Sequence, residues 1–154
     1  MTSSDATLQA LERFILDGIP LARAMQVSIA GFDGVHLAMT APLAPNINDK
    51  GCAFGGSLAS LMTLAGWALV ESMLRGRGHD CDLFVADSTV RYLAPVWGDL
   101  RAEARLAPGG DWSPFFATLD ARGRARVDVT CVLPGDDGKP AASLEARFVA
   151  KRRA

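Results

Sequence analysis

The segment from Gly51 to Val70 has the sequence GCAFGGSLASLMTLAGWALV and contains no charged side chain. Two adjacent glycines, Gly55 and Gly56, precede its apolar run, which extends from Leu58 to Val70. A run this short is typical of a buried core helix, because a bilayer span requires about 20 apolar residues. The segment therefore predicts a helix over residues 55–74 that the rest of the chain encloses.

The chain on either side of this helix predicts an antiparallel sheet. Leu100, Ala102, Ala104 and Leu106 alternate with charged residues, a pattern typical of a strand with one buried and one solvated face. A helix that is apolar on nearly all sides needs such a sheet to cover it. Strands are predicted over residues 26–32, 35–41, 83–93, 99–106, 126–133 and 142–150, and further helices over residues 7–17 and 113–122. The predicted fold class is α+β, with a curved antiparallel sheet around one long helix in a single domain, residues 1–154.

Composition excludes several classes of function. With 16 Lys+Arg against 17 Asp+Glu in 154 residues, the chain has no basic field for binding nucleic acid. Cys52, Cys81 and Cys131 show no CxxC pairing and no metal-ligand spacing, so they predict reduced thiols. The first 25 residues lack the positively charged start of a signal peptide. We therefore expect a cytoplasmic protein without a nucleic-acid or membrane partner.

The loop before the long helix is the most informative segment for function. Its residues Asn48–Ser57 have the sequence NDKGCAFGGS. This segment is similar to the hotdog thioesterase signature, in which an Asn, and a Gly three residues later, precede His-Gly-Gly. The sequence PNINDKG at Pro45–Gly51, the glycines that follow and DSTVRYLAP at Asp87–Pro95 resemble more closely the "putative thioesterase" hotdog family, which also occurs fused behind bacterial GNAT acetyltransferases. The resemblance extends from the first helix to Phe148.

The resemblance implies a hotdog fold and an acyl-thioester hydrolase. The substrate would be acyl-coenzyme A or an acyl-carrier-protein, without a metal or nucleotide cofactor. The site would lie at a dimer interface, so we expect a homodimer or a dimer of dimers. The backbone at Gly55 and Gly56 would hold the carbonyl, and Asn48 would position substrate or water.

A physical reason supports this role for the two glycines. The first N–H groups of a helix have no intrahelical partner and lie at the positive end of the helix dipole. Glycine lets a ligand approach them closely, and such donors stabilise the oxyanion formed when water attacks a thioester. The alternative is that Gly55 and Gly56 only allow close packing of the helix on the sheet.

The sequence departs from the signature at two catalytic positions. Phe54 replaces the histidine, and Thr63 stands where many members place an acidic residue. A general base is still required. Asp49 is the first candidate, although a solvated loop carboxylate would explain it equally well. Ser88 is the second, because strand alternation puts its hydroxyl on the apolar face, together with Phe84, Ala86, Val90 and Tyr92.

Other side chains complete the predicted site. Asp87, with Thr89 and Arg91 on the opposite strand face, is a further candidate base, and a salt link between Asp87 and Arg91 is its alternative explanation. Thr63 and Ser57 are hydrogen-bonding candidates, or else bond back to their own helix. The substrate contacts are predicted at Asn46, Phe54, Ser57, Leu58, Leu61 and Met62, with the acyl chain along the last three.

Two other functions remain open from the sequence. Loss of the histidine and the acidic residue favours a non-catalytic acyl-thioester-binding or accessory hotdog protein, whereas the polar loop favours catalysis. A hotdog dehydratase or isomerase would need a histidine at the helix start, but His36 lies on a predicted strand and His79 in a turn. Both histidines are predicted to be surface residues.

Overall fold

The computed structural model describes residues 3–154, which form four helices and six strands. The helices are α1 (Ser3–Gly18), α2 (Pro20–Met25), α3 (Gly55–Gly76) and α4 (Trp112–Arg122). The strands are β1 (Ser28–Phe32), β2 (Leu37–Ala41), β3 (Cys81–Tyr92), β4 (Leu100–Leu106), β5 (Arg124–Pro134) and β6 (Pro140–Arg152). A short 3-10 turn, Ala44–Asn46, lies in the loop before α3.

The six strands form one antiparallel sheet in the order β1-β2-β4-β5-β6-β3. Helix α3 packs against one face of this sheet and contacts five of the six strands. We call this the inner face; β6, for example, directs the buried side chains of Leu144 and Phe148 toward it. The predicted α+β class, with one long helix against an antiparallel sheet, is confirmed.

Helix α3 lies very close to the sheet at Gly66. A Cβ placed on Gly66 would stand 3.0 Å from Cε2 of Phe148 and 3.4 Å from Cγ1 of Val129. By length and composition α3 could also cross a membrane, but 56% of its most apolar window is buried inside the fold. It is packed here as a core helix.

The predicted elements match the observed ones to within a few residues, with two differences. Helix α2 was not predicted; it has only six residues, Pro20–Met25, and is followed by Gln26, which has the left-handed φ of 58°. The second difference is a bulge at Ala86, which shifts the β3–β6 register between Val85 and Asp87.

The bulge changes which side chains share a face of β3. Phe84 pairs with Val149 on the outer face, whereas Ser88 pairs with the buried Ala146 on the inner face. The prediction that Phe84 and Ser88 share a face is therefore wrong, because the extra residue resets the alternation. Ser88, Val90 and Tyr92 keep their predicted common face.

Candidate functional site

The N-terminus of α3 is open. Phe54 is the N-cap residue, and its side chain makes no capping hydrogen bond. Its carbonyl accepts the N–H groups of Ser57 at 2.9 Å and Leu58 at 3.1 Å. Within residues 3–154 the N–H groups of Gly55 and Gly56 have no hydrogen-bond partner. Two free donors at the positive end of a 22-residue helix form a site that favours negative charge.

Two exposed aromatic rings border these donors. Phe54 is 55% exposed, and a Cβ on Gly56 would collide with its ring. Tyr92, at the end of β3, is 58% exposed, and its Cε1 would lie 3.4 Å from a Cβ on Gly55. Sequence reasoning placed Tyr92 on the inner face of its strand but did not assign it to the site. The missing information was the contact between the end of β3 and the start of α3.

The alternative explanation for Gly55 and Gly56 was that they only allow close packing of α3 on the sheet. Close packing of α3 on the sheet occurs at the buried Gly66. Gly55 and Gly56 are half-exposed and face the rings of Tyr92 and Phe54. At Gly56 the missing side chain gives room for the Phe54 ring, and at Gly55 it leaves space beside the Tyr92 ring.

The side chains of the two loop asparagines, Asn46 and Asn48, make hydrogen bonds that stabilise the conformation of the loop. Asn48 Oδ1 accepts the N–H groups of Lys50 at 2.8 Å and Cys52 at 3.2 Å. Asn46 is buried, and its Nδ2 donates to the carbonyls of Met25 at 3.0 Å and Pro42 at 2.8 Å. Asn46 Oδ1 is buried without a partner among the described residues. Both side chains thus position the loop that leads into α3.

Asp49 lies at the exposed tip of the same loop. The loop is closed below it by a bridge between Ile47 and Ala53 and by the Asn48 N–H, which donates to the Cys52 carbonyl at 2.7 Å. Both carboxylate oxygens of Asp49 accept from Lys50 Nζ, at 3.1 and 3.2 Å. The Lys50 hydrogen bond and charge lower the pKa of Asp49. This carboxylate is therefore ionised at neutral pH and weakly basic.

The side chains predicted along α3 divide between core and flank. Leu58, Leu61 and Met62 are buried in the core, so the structure does not bring them to the open flank of the helix. Thr63 is half-buried, and its Oγ1 donates to the carbonyl of Ala59 at 2.8 Å, which is the back-bonding alternative. Ser57 is buried in the first turn. The flank of α3 that stays half-exposed beyond the glycines consists of Ala59, Ser60, Thr63, Leu64 and Trp67.

Ser88 and Asp87 lie at the edge of the sheet on opposite faces. Ser88 is exposed on the inner face, in line with Tyr92. Asp87 is on the outer face, paired in register with Arg147. Because α3 packs on the inner face, Ser88 is on the side of the helix start and Asp87 is not.

The histidines do not contribute to this site. His36 Nδ1 lies 3.3 Å from Asp33 Oδ2 at the β1–β2 turn. His79 follows α3 at its C-terminal end, stacks on Phe116 and has Nε2 3.6 Å from Asp120 Oδ1. Its side chain is 17% exposed, so His79 is half-buried at the surface, more covered than the sequence indicated. No group of three or more metal-ligating side chains occurs in the described chain.

Comparison with known proteins identifies the family. Residues 8–152 match the YiiD_C family model, described as "Putative thioesterase (yiiD_Cterm)". The fold is also similar to a "putative thioesterase" from Shewanella oneidensis, with 32% identity over 96% of this chain and 98% of that one and a TM-score of 0.82. A protein of unknown function from Chlorobaculum tepidum is 29% identical over 97% of both chains, with a TM-score of 0.92.

A more distant match supports the fold alone. A thioesterase from Haemophilus influenzae is 14% identical over 94% of this chain and 90% of that one, with a TM-score of 0.73. The hotdog architecture expected from the resemblance is confirmed by these neighbours. The chain therefore belongs to the YiiD_C family, and the description of this family supports thioester hydrolysis as its class of reaction.

Proposed function

We propose that this protein hydrolyses the acyl thioester of coenzyme A or of an acyl-carrier-protein, and that it acts as a homodimer in the cytoplasm. The observation that carries the proposal is the open start of α3. There the N–H groups of Gly55 and Gly56 have no partner within residues 3–154. Family membership supports the reaction class, and the site supports the place where the carbonyl binds.

The two glycine N–H groups bind the thioester carbonyl oxygen. Water attacks the carbonyl carbon, and the negative charge that develops on the oxygen is stabilised by these donors and by the helix dipole. The C–S bond then breaks, and the thiolate leaves. The proton lost by water passes to a base and then to the departing thiolate, so the products are a carboxylic acid and a free thiol.

Asp49 accepts the proton in this proposal, and Ser88 holds the water. Asp49 is the carboxylate in the loop that leads into α3 and is ionised at neutral pH, but its hydrogen bond to Lys50 lowers its pKa and makes it a weaker base while the pair is intact. Ser88 is exposed on the face of β3 that carries Tyr92. The pairing of Asp49 with Lys50 implies that a substrate or a second copy of the chain displaces Lys50.

The acyl chain follows the half-exposed flank of α3 from Ala59 to Leu64. This replaces the predicted contacts with Leu61 and Met62, which face the core. Near Trp67 the flank is closed by α1, because the Trp67 ring stacks on Phe14 with centroids 6.2 Å apart. An acyl chain that extends from the glycines is therefore blocked on the α1 side.

The test is chromatographic detection of free coenzyme A released from short, medium, long and aromatic acyl-coenzyme A esters. Wild type is compared with Asp49→Ala and Ser88→Ala, and Asp137→Ala in the exposed β5–β6 loop is the matched carboxylate control. We expect release by wild type and by the control, and about tenfold or greater losses in the two site variants. Normal rates in both site variants would disprove the assignments of base and water.

A non-catalytic acyl-thioester-binding protein is the second candidate. It is favoured by Phe54 at the signature histidine position and by the back-bonded Thr63. Binding of a non-hydrolysable acyl-coenzyme A thioether, measured by calorimetry, separates the two. Binding without any hydrolysis of the esters or of a loaded carrier protein would establish the second candidate.

A further inference from the structure

An uncovered strip of surface lies between α3 and the edge strand β3, and it begins at the open helix start. At that end Tyr92 lies beside Gly55, with 3.4 Å between its Cε1 and a Cβ placed on the glycine. Along α3 the half-exposed residues Gly56, Ser60 and Thr63 recur at the spacing of one helix face. The strip therefore continues from the free N–H groups along the helix.

The inner face of β3 forms the other side of this strip. Val85 belongs to the inner face because it pairs with the buried Phe148. The side chains of Val85, Ser88 and Tyr92 are exposed. Leu83, the next inner-face residue toward the start of the strand, is buried. The exposed part of the inner face thus ends between Val85 and Leu83.

Trp67 closes the strip at this same point. Its indole Nε1 donates to the carbonyl of Leu83 at 3.2 Å, so the side chain extends from α3 to β3. Trp67 is half-buried and packs against the core, on the helix face that carries Gly56. A chain that follows the strip from the glycines therefore meets the indole ring at the far end.

Further contacts hold the indole in place. The Trp67 ring is parallel to the ring of Phe14 in α1, with centroids 6.2 Å apart and an interplanar angle of 1°. The guanidinium carbon of Arg75 lies 4.8 Å from the Phe14 ring centroid, and Arg75 Nε donates to Glu71 Oε1 at 2.9 Å. Because both a hydrogen bond and a stacked ring restrain the indole, a ligand must break these contacts to displace it.

Helix geometry gives the length of the strip. At about 1.5 Å of rise per residue, Trp67 lies roughly 18 Å along the helix axis from Gly55. Long helical side chains lean toward the N-terminus, so the indole covers about one turn, roughly 5 Å, of that distance. An extended chain advances about 1.2 Å per bond, as the reach of an extended polypeptide shows. The remaining roughly 13 Å therefore accommodates about ten bonds.

We infer that Trp67 sets the maximum acyl length, and that the substrates are thioesters of short- and medium-chain acids of up to about ten carbons. This inference rests on the proposed function, because the acyl chain starts at the carbonyl held by Gly55 and Gly56. Within the limit each added methylene leaves water for the strip, which raises kcat/KM by up to about fourfold per carbon. Beyond the limit the chain must leave the strip or displace the indole, so kcat/KM falls.

Removal of the indole tests the inference on a series of saturated acyl-coenzyme A esters. For wild type we expect kcat/KM to peak near about ten carbons and to be about tenfold lower for the palmitoyl ester. In Trp67→Ala the strip is about one turn longer, so the peak should move up by about four carbons. Trp112→Ala removes a half-buried tryptophan that packs on Phe115 of α4, and should leave the peak unchanged.

A second variant shortens the strip and removes no tryptophan from the core. Thr63 is half-exposed and lies one turn before Trp67 on the same face of α3. Thr63→Phe should therefore move the peak down by about four carbons. Rates are expressed relative to the butyryl ester, so that a change in a step common to all chain lengths cancels. This variant decides the question if Trp67→Ala does not fold.

Calorimetry with non-hydrolysable acyl-coenzyme A thioethers measures the same length limit without catalysis. A length limit in binding without hydrolysis of any ester would refute the proposed hydrolysis and support the role of Trp67. Wild-type hydrolysis of palmitoyl and decanoyl esters at equal rates, or an unchanged peak in Trp67→Ala and Thr63→Phe, would overturn this inference and leave the hydrolase intact. Failure to bind or hydrolyse a chain of any length would overturn both.

Discussion

Helices α3 and α4 begin in opposite ways. At α4 the N-cap is Asp111, whose Oδ1 accepts the Ser113 N–H at 3.0 Å. At α3 the N-cap is Phe54, which cannot accept a hydrogen bond through its side chain. Both N-cap residues have extended backbone, with φ and ψ of −142° and 138° for Asp111 and −65° and 133° for Phe54.

The comparison indicates that the open start of α3 is not a consequence of backbone geometry. The Phe54 backbone already has the conformation in which an Asp, Asn or Ser side chain caps a helix. Such a cap typically contributes about 1 kcal/mol of stability. At α3 this contribution is absent, and the donors stay free for a ligand.

The largest expected effect comes from blocking the open helix start. Gly55→Val adds a branched side chain at the first residue of α3, where the Cβ alone would already lie 3.4 Å from Cε1 of Tyr92. We expect kcat/KM to fall by about 100-fold or more, because the loss of oxyanion donors has effects of this size. Steady-state kinetics measures the loss, and far-UV circular dichroism checks the fold.

Gly76→Ala is the control for this prediction. It adds a side chain at the other end of α3, where a Cβ would have no neighbour within 4 Å. Its kinetics should match wild type. Unimpaired turnover by Gly55→Val would show that the helix start does not bind the carbonyl.

The next effect comes from giving α3 the cap that α4 has. In Phe54→Asp the new carboxylate accepts a backbone N–H of the first turn and competes with substrate for it. We expect kcat/KM to fall by about tenfold while the free energy of unfolding rises by about 1 kcal/mol. Denaturant titration and kinetics measure the two quantities on the same samples.

The control for this variant is Phe54→Ala, which removes the ring without adding a cap. It should show no gain in stability. A Phe54→Asp protein that gains stability and keeps full activity would show that the start of α3 does not take part in catalysis.

The sequence allowed most of the fold to be predicted, because hydrophobic periodicity is a local property of the chain. The alternation in β4 and the apolar run of α3 determined element type and approximate bounds. The bulge at Ala86 was not predictable, because it depends on how β3 pairs with β6. Helix α2 was not predicted, because its six residues are too few to show periodicity.

The candidate site was predictable only where its residues are adjacent in sequence. Gly55 and Gly56 were found from one motif, and the structure leaves their N–H groups free. Tyr92 was not assigned to the site, because its contact with Gly55 joins segments separated by all of α3 and most of β3. The hydrogen bonds of Asn48 within its own loop were also not predictable, since a spacing pattern does not say which hydrogen bonds a side chain makes.

A smaller effect is expected from uncapping the other helix. Asp111→Ala removes the bond to the Ser113 N–H and should lower the free energy of unfolding by about 1 kcal/mol. Activity should not change, because α4 lies against β5, away from Gly55. Asp111→Asn keeps a capping oxygen and should retain most of the stability. A loss of turnover in Asp111→Ala at temperatures where it is folded would contradict the separation of the two helix starts.

The smallest effect concerns a third set of N–H groups, at the β1–β2 turn. Asp33 Oδ1 accepts the N–H groups of His36 at 2.6 Å and Val35 at 2.8 Å. These two bonds, followed by the His36 side chain, lower the pKa of Asp33 from 3.8 to about 2. A carboxyl whose pKa is lower in the folded protein contributes stability above its unfolded pKa, and this contribution is lost as the pH falls through the folded value.

We expect Asp33→Asn to have a lower melting temperature than wild type at pH 5 and above, with the difference shrinking between about pH 4 and pH 2. Thermal unfolding followed by circular dichroism over that range measures it, and a difference that stays constant down to pH 2 would show that the charge of Asp33 does not strengthen these bonds.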